Sequence, residues 1–134
     1  KKIIGYHFSK QMTTDIIVQA LKNAYISQRP KDEVILHTDL GSQYTSKDFK
    51  DLISDLNIVQ SFSRKGCPYD NACIESFHAT LKKEEVYQTV YVTFKQARMA
   101  LFQYIEGWYN RKRIHGAIDY LTPEECEQLA RQTA

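Results

Sequence analysis

Two acidic residues, Asp39 and Glu75, lie in patterns that suit metal chemistry. Asp39 comes shortly after the apolar run Val34–His37, and Glu75 follows 36 positions later in a segment with helical periodicity. Mg²⁺ takes hard oxygen ligands and is usually held by one or two protein carboxylates. A carboxylate at the end of a strand and another on a following helix therefore indicate a divalent-metal site for phosphoryl transfer, as in enzymes that process nucleic acids.

The segment around Glu75 predicts a two-sided helix. At about 100° per residue, the apolar face carries Ile74, Phe77 and Leu81, and a polar stripe about a quarter-turn away carries Asn71, Glu75, His78 and Lys82. Glu75 and Lys82 point the same way, so a metal-binding carboxylate would accompany a cation that can hold phosphate. The alternative is that both residues form the solvated edge of an ordinary amphipathic helix.

The elements that would position the two acids alternate between strands and helices. β-branched and aromatic residues predict strands at Lys2–Phe8, Val34–His37 and Ile58–Phe62. Helical spacing predicts one helix from Thr13 or Thr14 to about Ser27, and a second from an N-cap at Ser46 to about Leu56. This alternation predicts an α/β sheet with at least one parallel strand pair.

The second half of the chain predicts helices. Ser63–Tyr69 contains Gly66 and Pro68 and predicts a loop, after which Asp70 is positioned to cap the Glu75 helix. Two further helices are expected at about Thr93–Arg111 and Pro123–Gln132, the second with Thr122 as its N-cap. Because 134 residues are the length of one packed domain, we expect a single domain over residues 1–134.

Composition indicates an ordinary globular protein, with 43% hydrophobic and 25% charged residues. No apolar run is long enough to span a bilayer and no secretory segment opens the chain, so the cytoplasm is the expected location. The net charge is only +2, so the basic residues matter through their clusters. Cys67, Cys73 and Cys126 favour reduced thiols over disulfides, and a metal site of Cys67, Cys73 and His78 is the less favoured alternative.

Four ordered motifs resemble the catalytic core of bacterial insertion-sequence transposases. They are His37–Ser46; Ser63–Gly66 with Tyr69–Ala72; Glu75–Phe77; and Tyr109–Arg111 continuing through His115 to Tyr120–Glu124. The sequence resembles the insertion-sequence-three family from about residue 34 to residue 127. That family belongs to the DDE superfamily together with retroviral integrases.

The resemblance implies an α/β fold of the ribonuclease-H-like, integrase-core type, with a mixed sheet flanked by helices. In such a core, three carboxylates hold two Mg²⁺ (or Mn²⁺) ions for DNA strand cleavage and strand transfer. Asp39 matches the second Asp of the family and Glu75 matches its Glu. Both residues are therefore expected to be catalytic and to bind metal.

Six residues are expected to contact DNA: Lys82, Ser42, Gln43, Asn71, Lys65 and Arg111. Lys82 matches the family's basic residue at element-end DNA, Ser42 and Gln43 match positions near target DNA, and Asn71 matches a motif position beside the active site. Lys65 and Arg111 belong to basic clusters, although a helix-capping role for Arg111 is equally favoured. The expected partners are DNA at element ends and target, and further copies of the chain. No small-molecule substrate is expected, and the location would be the nucleoid within the cytoplasm.

The match lacks the family's first catalytic Asp, which lies on the first strand of the sheet, upstream of a strand resembling Lys2–Phe8. The only acid before Asp39 in a helix or strand context is Asp15, which suits the N-terminal dipole of a helix. We therefore expect an N-terminally truncated core that binds metal weakly and is inactive alone. Two alternatives stay open: a non-catalytic remnant that binds DNA or self-associates, and a stand-alone ribonuclease-H-like nuclease with its own first carboxylate.

Three other conspicuous side chains are expected to be structural. His37 is assigned to the end of a strand, because two-metal sites need no imidazole. Trp108 and Tyr109 lie on the same predicted helix as other large apolar residues and are expected in the core rather than as platforms for DNA bases. A departure from the family pattern is Leu40, where many relatives carry a polar or basic residue.

Overall fold

A computed structural model describes all 134 residues. The chain divides into two compact units. The strand unit comprises Ile4–His78, and the helical unit comprises Lys1–Ile3 together with Ala79–Ala134. None of the helices is both long and apolar enough to cross a membrane.

Two parallel strands form the sheet of the strand unit. β1 is Val34–Thr38 and β2 is Ile58–Phe62, and the two pair in register from Val34 opposite Ile58 to Thr38 opposite Phe62. Parallel neighbours need a crossover connection between them, and helix α2 (Lys47–Asp55) lies in that connection. The parallel pair predicted from the sequence is confirmed.

The core of the strand unit lies between one face of this sheet and two helices, α1 (Thr14–Gln28) and α2. As predicted, the Ser46 hydroxyl caps α2 by accepting a hydrogen bond from Phe49 N at 3.3 Å. The buried centre consists of Phe49, Ile53 and Ile58, surrounded by half-buried apolar side chains of α1, β1 and the loop after β1. The opposite face of the sheet is open: Ile35 and Val59, which are register partners, are 71% and 46% exposed.

The strand predicted at Lys2–Phe8 is wrong, because this segment has no strand neighbour. Backbone groups of Ile3 and Tyr6 bond to side chains instead. Within the helical unit, the Asn110 amide donates to Ile3 O at 2.8 Å and accepts from Ile3 N at 2.9 Å. Within the strand unit, Asn23 donates to Tyr6 O at 3.0 Å, and Gly5 lies so close to α1 that a Cβ added there would meet Ala24 Cβ at 2.4 Å. Helix packing and two asparagines thus replace a sheet ladder.

The Glu75 helix, α3, spans Ala72–Glu84 and follows a 3₁₀ turn at Pro68–Asn71. The predicted cap by Asp70 is wrong, because its carboxylate instead accepts hydrogen bonds from the backbone and guanidinium of Arg64. Of the three residues expected on the apolar face, Phe77 is buried, Leu81 is half-buried and Ile74 is exposed.

The helical unit contains α4 (Phe94–Gln103) and α5 (Pro123–Gln132). Thr93 caps α4 by accepting from Gln96 N at 3.1 Å, and Thr122 forms the expected N-terminus of α5 in a capping box with Glu125. The single helix predicted to run to Arg111 is interrupted, because α4 passes directly into a π-helical segment, Tyr104–Tyr109. Such segments widen the helix by one residue per turn and are frequent at functional sites.

The π-helical segment decides which aromatic side chains are buried. Tyr104, Ile105 and Tyr109 are buried, so the core assignment of Tyr109 is confirmed. The same assignment is wrong for Trp108, which is 47% exposed. Its indole NH donates to Glu84 at 3.3 Å, so its polar atom is directed to a carboxylate at the surface rather than into an apolar core.

Candidate active site

Asp39 lies immediately after β1, as the sequence predicts, and its side chain is exposed. One carboxylate oxygen, Oδ1, accepts a hydrogen bond from Gly41 N at 2.7 Å. The turn that follows is closed by Tyr44 N, which donates to Gly41 O at 3.0 Å. Asp39 makes no ion pair, so its negative charge is available to a cation.

The Gln60 side chain, on β2, holds the turn that contains Asp39. The Gln60 amide donates to Thr38 Oγ1 and to Tyr44 O, both at 3.0 Å. The ring of Tyr44 packs edge-on against Phe49 at 5.6 Å, which connects the turn to the core. Burial, with the nearby charge of Asp39, raises the pKa of Tyr44 above its ordinary value. The turn is therefore anchored at two points while its carboxylate stays at the surface.

Glu75 lies in the first turn of α3 and is also exposed. It makes no ion pair, and negative charge is favoured at the N-terminal end of a helix. Asp39 and Glu75 thus belong to the same compact unit, each as a carboxylate without a neutralising cation.

A charged pair fixes the loop that leads to Glu75. Arg64 N and Nε donate to Asp70 Oδ2 at 2.9 and 3.0 Å, and Nη2 donates to Oδ1 at 3.2 Å. These bonds lower the pKa of Asp70 to about 2, so this carboxyl is ionised at any physiological pH. Arg64 is therefore occupied, and only its neighbour Lys65 presents an unpaired cation on this loop.

The residues expected near target DNA lie at the surface of the same unit. Ser42 is exposed and Gln43 is half-buried, and both follow Asp39 in its anchored turn. Asn71 is half-buried at the last position of the 3₁₀ turn before α3. The strand unit therefore contains the acidic pair together with Ser42, Gln43, Lys65 and Asn71.

Two of the expected DNA contacts belong to the helical unit. Lys82 is exposed in the last turn of α3 and has no ion-pair partner, which leaves its ammonium group available. Arg111 is exposed but pairs with Glu124 in the first turn of α5, with Nε and Oε2 3.4 Å apart. The structure shows this ion pair and no capping contact from Arg111 to its own helix.

Glu84, which the sequence does not single out, organises the helical unit. Its carboxylate accepts hydrogen bonds from Tyr104 OH at 2.7 Å, from Trp108 Nε1 at 3.3 Å and from Arg113 Nε at 2.8 and 3.0 Å. The hydrogen bond from Arg113 lowers the pKa of Glu84, burial opposes that lowering, and the hydrogen bonds from Tyr104 and Trp108 add to it. In the sequence, Glu84 is marked only by its position at the end of α3. That position does not distinguish it from a solvated glutamate.

His115 is a buried imidazole with one unsatisfied nitrogen. Arg113 Nη1 lies 3.1 Å from its Nδ1, and because a guanidinium can only donate, Nδ1 accepts and the proton resides on Nε2. Nε2 is buried without a partner. Burial, then the positive charge of Arg113, lowers the His115 pKa, so the ring is neutral at pH 7. Its contacts are structural, including Tyr109 at 5.0 Å.

The donor atoms fit part of a magnesium site. Asp39 Oδ2 and the Glu75 carboxylate are exposed hard oxygen ligands of the kind Mg²⁺ prefers. No group of three or more His, Cys, Asp or Glu residues is arranged to hold a metal ion. The three cysteines are free thiols, and the less favoured site of Cys67, Cys73 and His78 is not formed.

The arrangement can be compared with proteins of known family. The integrase core domain family matches residues 1–68 and residues 56–123, so the two matches together span nearly the whole chain. The chain belongs to the integrase core family. The resemblance to insertion-sequence-three transposases inferred from the motifs is confirmed by relatives of this kind.

Two insertion-sequence transposases illustrate the relationship. The chain is 38% identical over 128 residues to the transposase of insertion sequence element IS904 from Lactococcus lactis subsp. lactis (strain IL1403), covering 96% of this chain and 51% of the relative. It is 39% identical over 127 residues to transposase InsF of insertion sequence IS3A from Escherichia coli (strain K12), covering 95% of this chain and 44% of the relative. The chain thus spans about half the length of these relatives.

A solved structure confirms the fold. The catalytic core domain of BIV integrase superposes with a TM-score of 0.63 at 22% sequence identity, covering 95% of this chain and 78% of that domain. The ribonuclease-H-like fold expected from the motifs is therefore present, although the sheet of this chain consists of two parallel strands.

Proposed function

We propose that residues 1–134 form part of a single integrase-type catalytic core that cleaves DNA strands and transfers them during transposition of an insertion sequence. The observation that carries the proposal is the pair Asp39 and Glu75. Both are exposed in one compact unit, and no cationic side chain neutralises either one. Two carboxylates without ion-pair partners, at the positions that match the family's metal-binding acids, support a bound cation over a structural role.

Asp39 and Glu75 would hold Mg²⁺ or Mn²⁺, which when bound supplies Lewis-acid stabilisation and an activated oxygen nucleophile for phosphoryl transfer. Other residues of the chain would hold these two acids in place and bind the DNA. Gly41 and Gln60 hold the Asp39 turn in place, the Arg64–Asp70 pair holds the loop before Glu75, and the free cations Lys65 and Lys82 would bind phosphates of the DNA backbone.

DNA is the proposed partner, and association with further copies of the chain, most simply through the edge of the sheet, stays a prediction. A location at the nucleoid follows from the same proposal. The alternative of a non-catalytic remnant is not favoured, because the two acidic positions that a remnant is free to lose are both retained at the surface.

The test is an activity assay in a chimeric transposase. Residues 1–134 would replace the matching half of the IS904 transposase, the relative with 38% identity, and the product would be incubated with duplexes carrying that element's ends. We expect nicking and strand transfer that require Mg²⁺ or Mn²⁺ and fall to background with Asp39→Asn or Glu75→Gln. Asp15→Asn, an exposed acid of α1, is the matched control. Activity that survives Asp39→Asn would contradict the proposal.

A further inference from the structure

His37, two residues before Asp39, makes two side-chain hydrogen bonds. Its Nδ1 lies 3.1 Å from Ser61 Oγ and its Nε2 lies 2.9 Å from Ser63 Oγ. Ser61 is the register partner of His37 on β2, and Ser63 follows directly after β2. A neutral imidazole has one donor and one acceptor nitrogen, and a serine hydroxyl serves either, so both contacts are satisfied at once.

These contacts begin a path of hydrogen bonds and adjoining chain segments that leads from the Asp39 strand to the Glu75 helix. Beyond the last register pair, Ser63 N donates to Thr38 O at 2.8 Å. The next residue, Arg64, bonds through its backbone and side chain to Asp70. Asp70 lies in the 3₁₀ turn that leads directly into α3, whose first turn carries Glu75.

We propose that His37 is a positioning residue that sets the placement of Glu75 relative to Asp39 by fixing Ser63 at the end of β2. The inference rests on the proposed function, because the placement matters only if the two carboxylates share a cation. The imidazole acts through geometry and touches neither carboxylate. Of its two contacts, the one to Ser63 is decisive, since Ser61 lies within the strand ladder, whereas Ser63 lies beyond the last register pair and is otherwise held by its backbone bond to Thr38 O.

Four variants separate this role from simple surface packing. The amide of glutamine extends as far as Nε2 of histidine, whereas that of asparagine extends only as far as Nδ1. His37→Gln therefore keeps the Ser63 contact, and His37→Asn keeps only the Ser61 contact. Ser63→Ala removes the decisive contact from the other side, and Ser61→Ala is its matched control.

The first measurement is amide hydrogen exchange of the loop, read at Ser63, Arg64, Cys67 and Asp70, whose amides are all hydrogen-bonded. We expect His37→Asn and Ser63→Ala to speed this exchange about fivefold or more, the effect of losing roughly one net hydrogen bond from the folded loop. His37→Gln should stay within about twofold of the wild-type rate, and so should Ser61→Ala.

The second measurement is line broadening by Mn²⁺ in NMR spectra, compared between the Glu75 and Asp39 amides. We expect His37→Asn and Ser63→Ala to lower the ratio of Glu75 to Asp39 broadening, with melting temperatures close to wild type, and His37→Gln to restore it. A purely structural histidine would not change this ratio at constant stability.

Unchanged exchange and an unchanged broadening ratio in both His37→Asn and Ser63→Ala would overturn the proposal. If a His37 variant fails to fold, Ser63→Ala decides, because it deletes a single hydroxyl. If Mn²⁺ broadens neither Glu75 nor Asp39 in the wild type, the proposed function fails on that result. The exchange rates then decide separately whether His37 fixes the loop.

Discussion

Asp39 Oδ1 accepts its hydrogen bond from Gly41 N at 2.7 Å, and while the carboxylate keeps this position it leaves no room for a side chain at residue 41. A Cβ added to Gly41 would lie 2.8 Å from that oxygen. A side chain at residue 41 therefore fits only if the Asp39 carboxylate moves, and in the present turn that carboxylate is oriented by the Gly41 backbone.

Gly41→Ala should displace the Asp39 carboxylate while leaving the fold intact. The contact is with the end of a side chain, which can rotate away, so we expect the free energy of unfolding to change by less than about 1 kcal/mol. Mn²⁺ affinity should nevertheless fall several-fold. Gly107→Ala, where an added Cβ meets nothing within 4 Å, is the matched control. Unchanged metal affinity in Gly41→Ala would show that the orientation of Asp39 is not set by this turn.

Glu84→Gln should destabilise the helical unit. The substitution removes the charge from an acceptor that binds Arg113, Tyr104 and Trp108 and leaves the guanidinium without its partner. We expect a loss of about 2 kcal/mol, the typical value for hydrogen bonds to a charged group. Because Trp108 is the only tryptophan, its fluorescence should shift in the folded state as well.

Glu85→Gln is the control for that experiment, since the Glu85 carboxylate accepts only from Tyr91 OH, at 2.9 Å. If Glu84→Gln and Glu85→Gln had equal effects on unfolding and on Trp108 fluorescence, Glu84 would not be the organising acceptor of this unit.

His115 should make stability depend on pH in the weakly acidic range. Its pKa is lowered in the folded protein, chiefly by burial and then by Arg113. Below about pH 6.5 the unfolded chain therefore binds a proton at this histidine more readily than the folded protein does. The free energy of unfolding decreases as the pH falls below that value, and above it this histidine no longer affects stability. Unfolding by urea between pH 7.5 and 5 should show this slope. It should flatten in His115→Gln, and an identical slope in that variant would assign the effect elsewhere.

Lys82→Ala should weaken DNA binding and reduce the dependence of the affinity on salt concentration. Lys82 is exposed without an ion-pair partner, so one phosphate contact is expected from it. The slope of log affinity against log salt should fall by about 0.9 for duplex DNA, equally for any sequence. Lys22→Ala, an exposed lysine of α1, should leave the slope unchanged. A loss of affinity confined to one DNA sequence would contradict backbone binding by Lys82.

The sequence predicts local features of this fold well where neighbouring residues determine them. The N-caps Ser46 and Thr122, the parallel strand pair and the position of Asp39 after β1 all follow from short patterns and are observed. Distant contacts are not predictable in this way. The Lys2–Phe8 segment has strand composition but no strand partner, and the backbone groups of Ile3 and Tyr6 bond instead to Asn110 and Asn23.

The candidate site shows the same division. Asp39 and Glu75 are identified by their motifs. The side chains that position them are not, because Gln60 bonds to the turn after β1 and Asp70 bonds to Arg64, and both contacts join residues from different elements. Trp108 is misassigned because a π-helical turn shifts the helix phase and directs its indole to Glu84. No periodicity in the sequence marks that shift.

The central claim is that Asp39 and Glu75 share a divalent cation, and Mn²⁺ titration followed by electron paramagnetic resonance tests it most directly. Two carboxylates give less attraction than three, so we expect weak binding at one site. Asp39→Asn and Glu75→Gln should each reduce affinity, and the double variant should add little to either because the ligands act on one ion. Asp15→Asn should bind as the wild type does. Undiminished Mn²⁺ binding by the double variant would contradict the account.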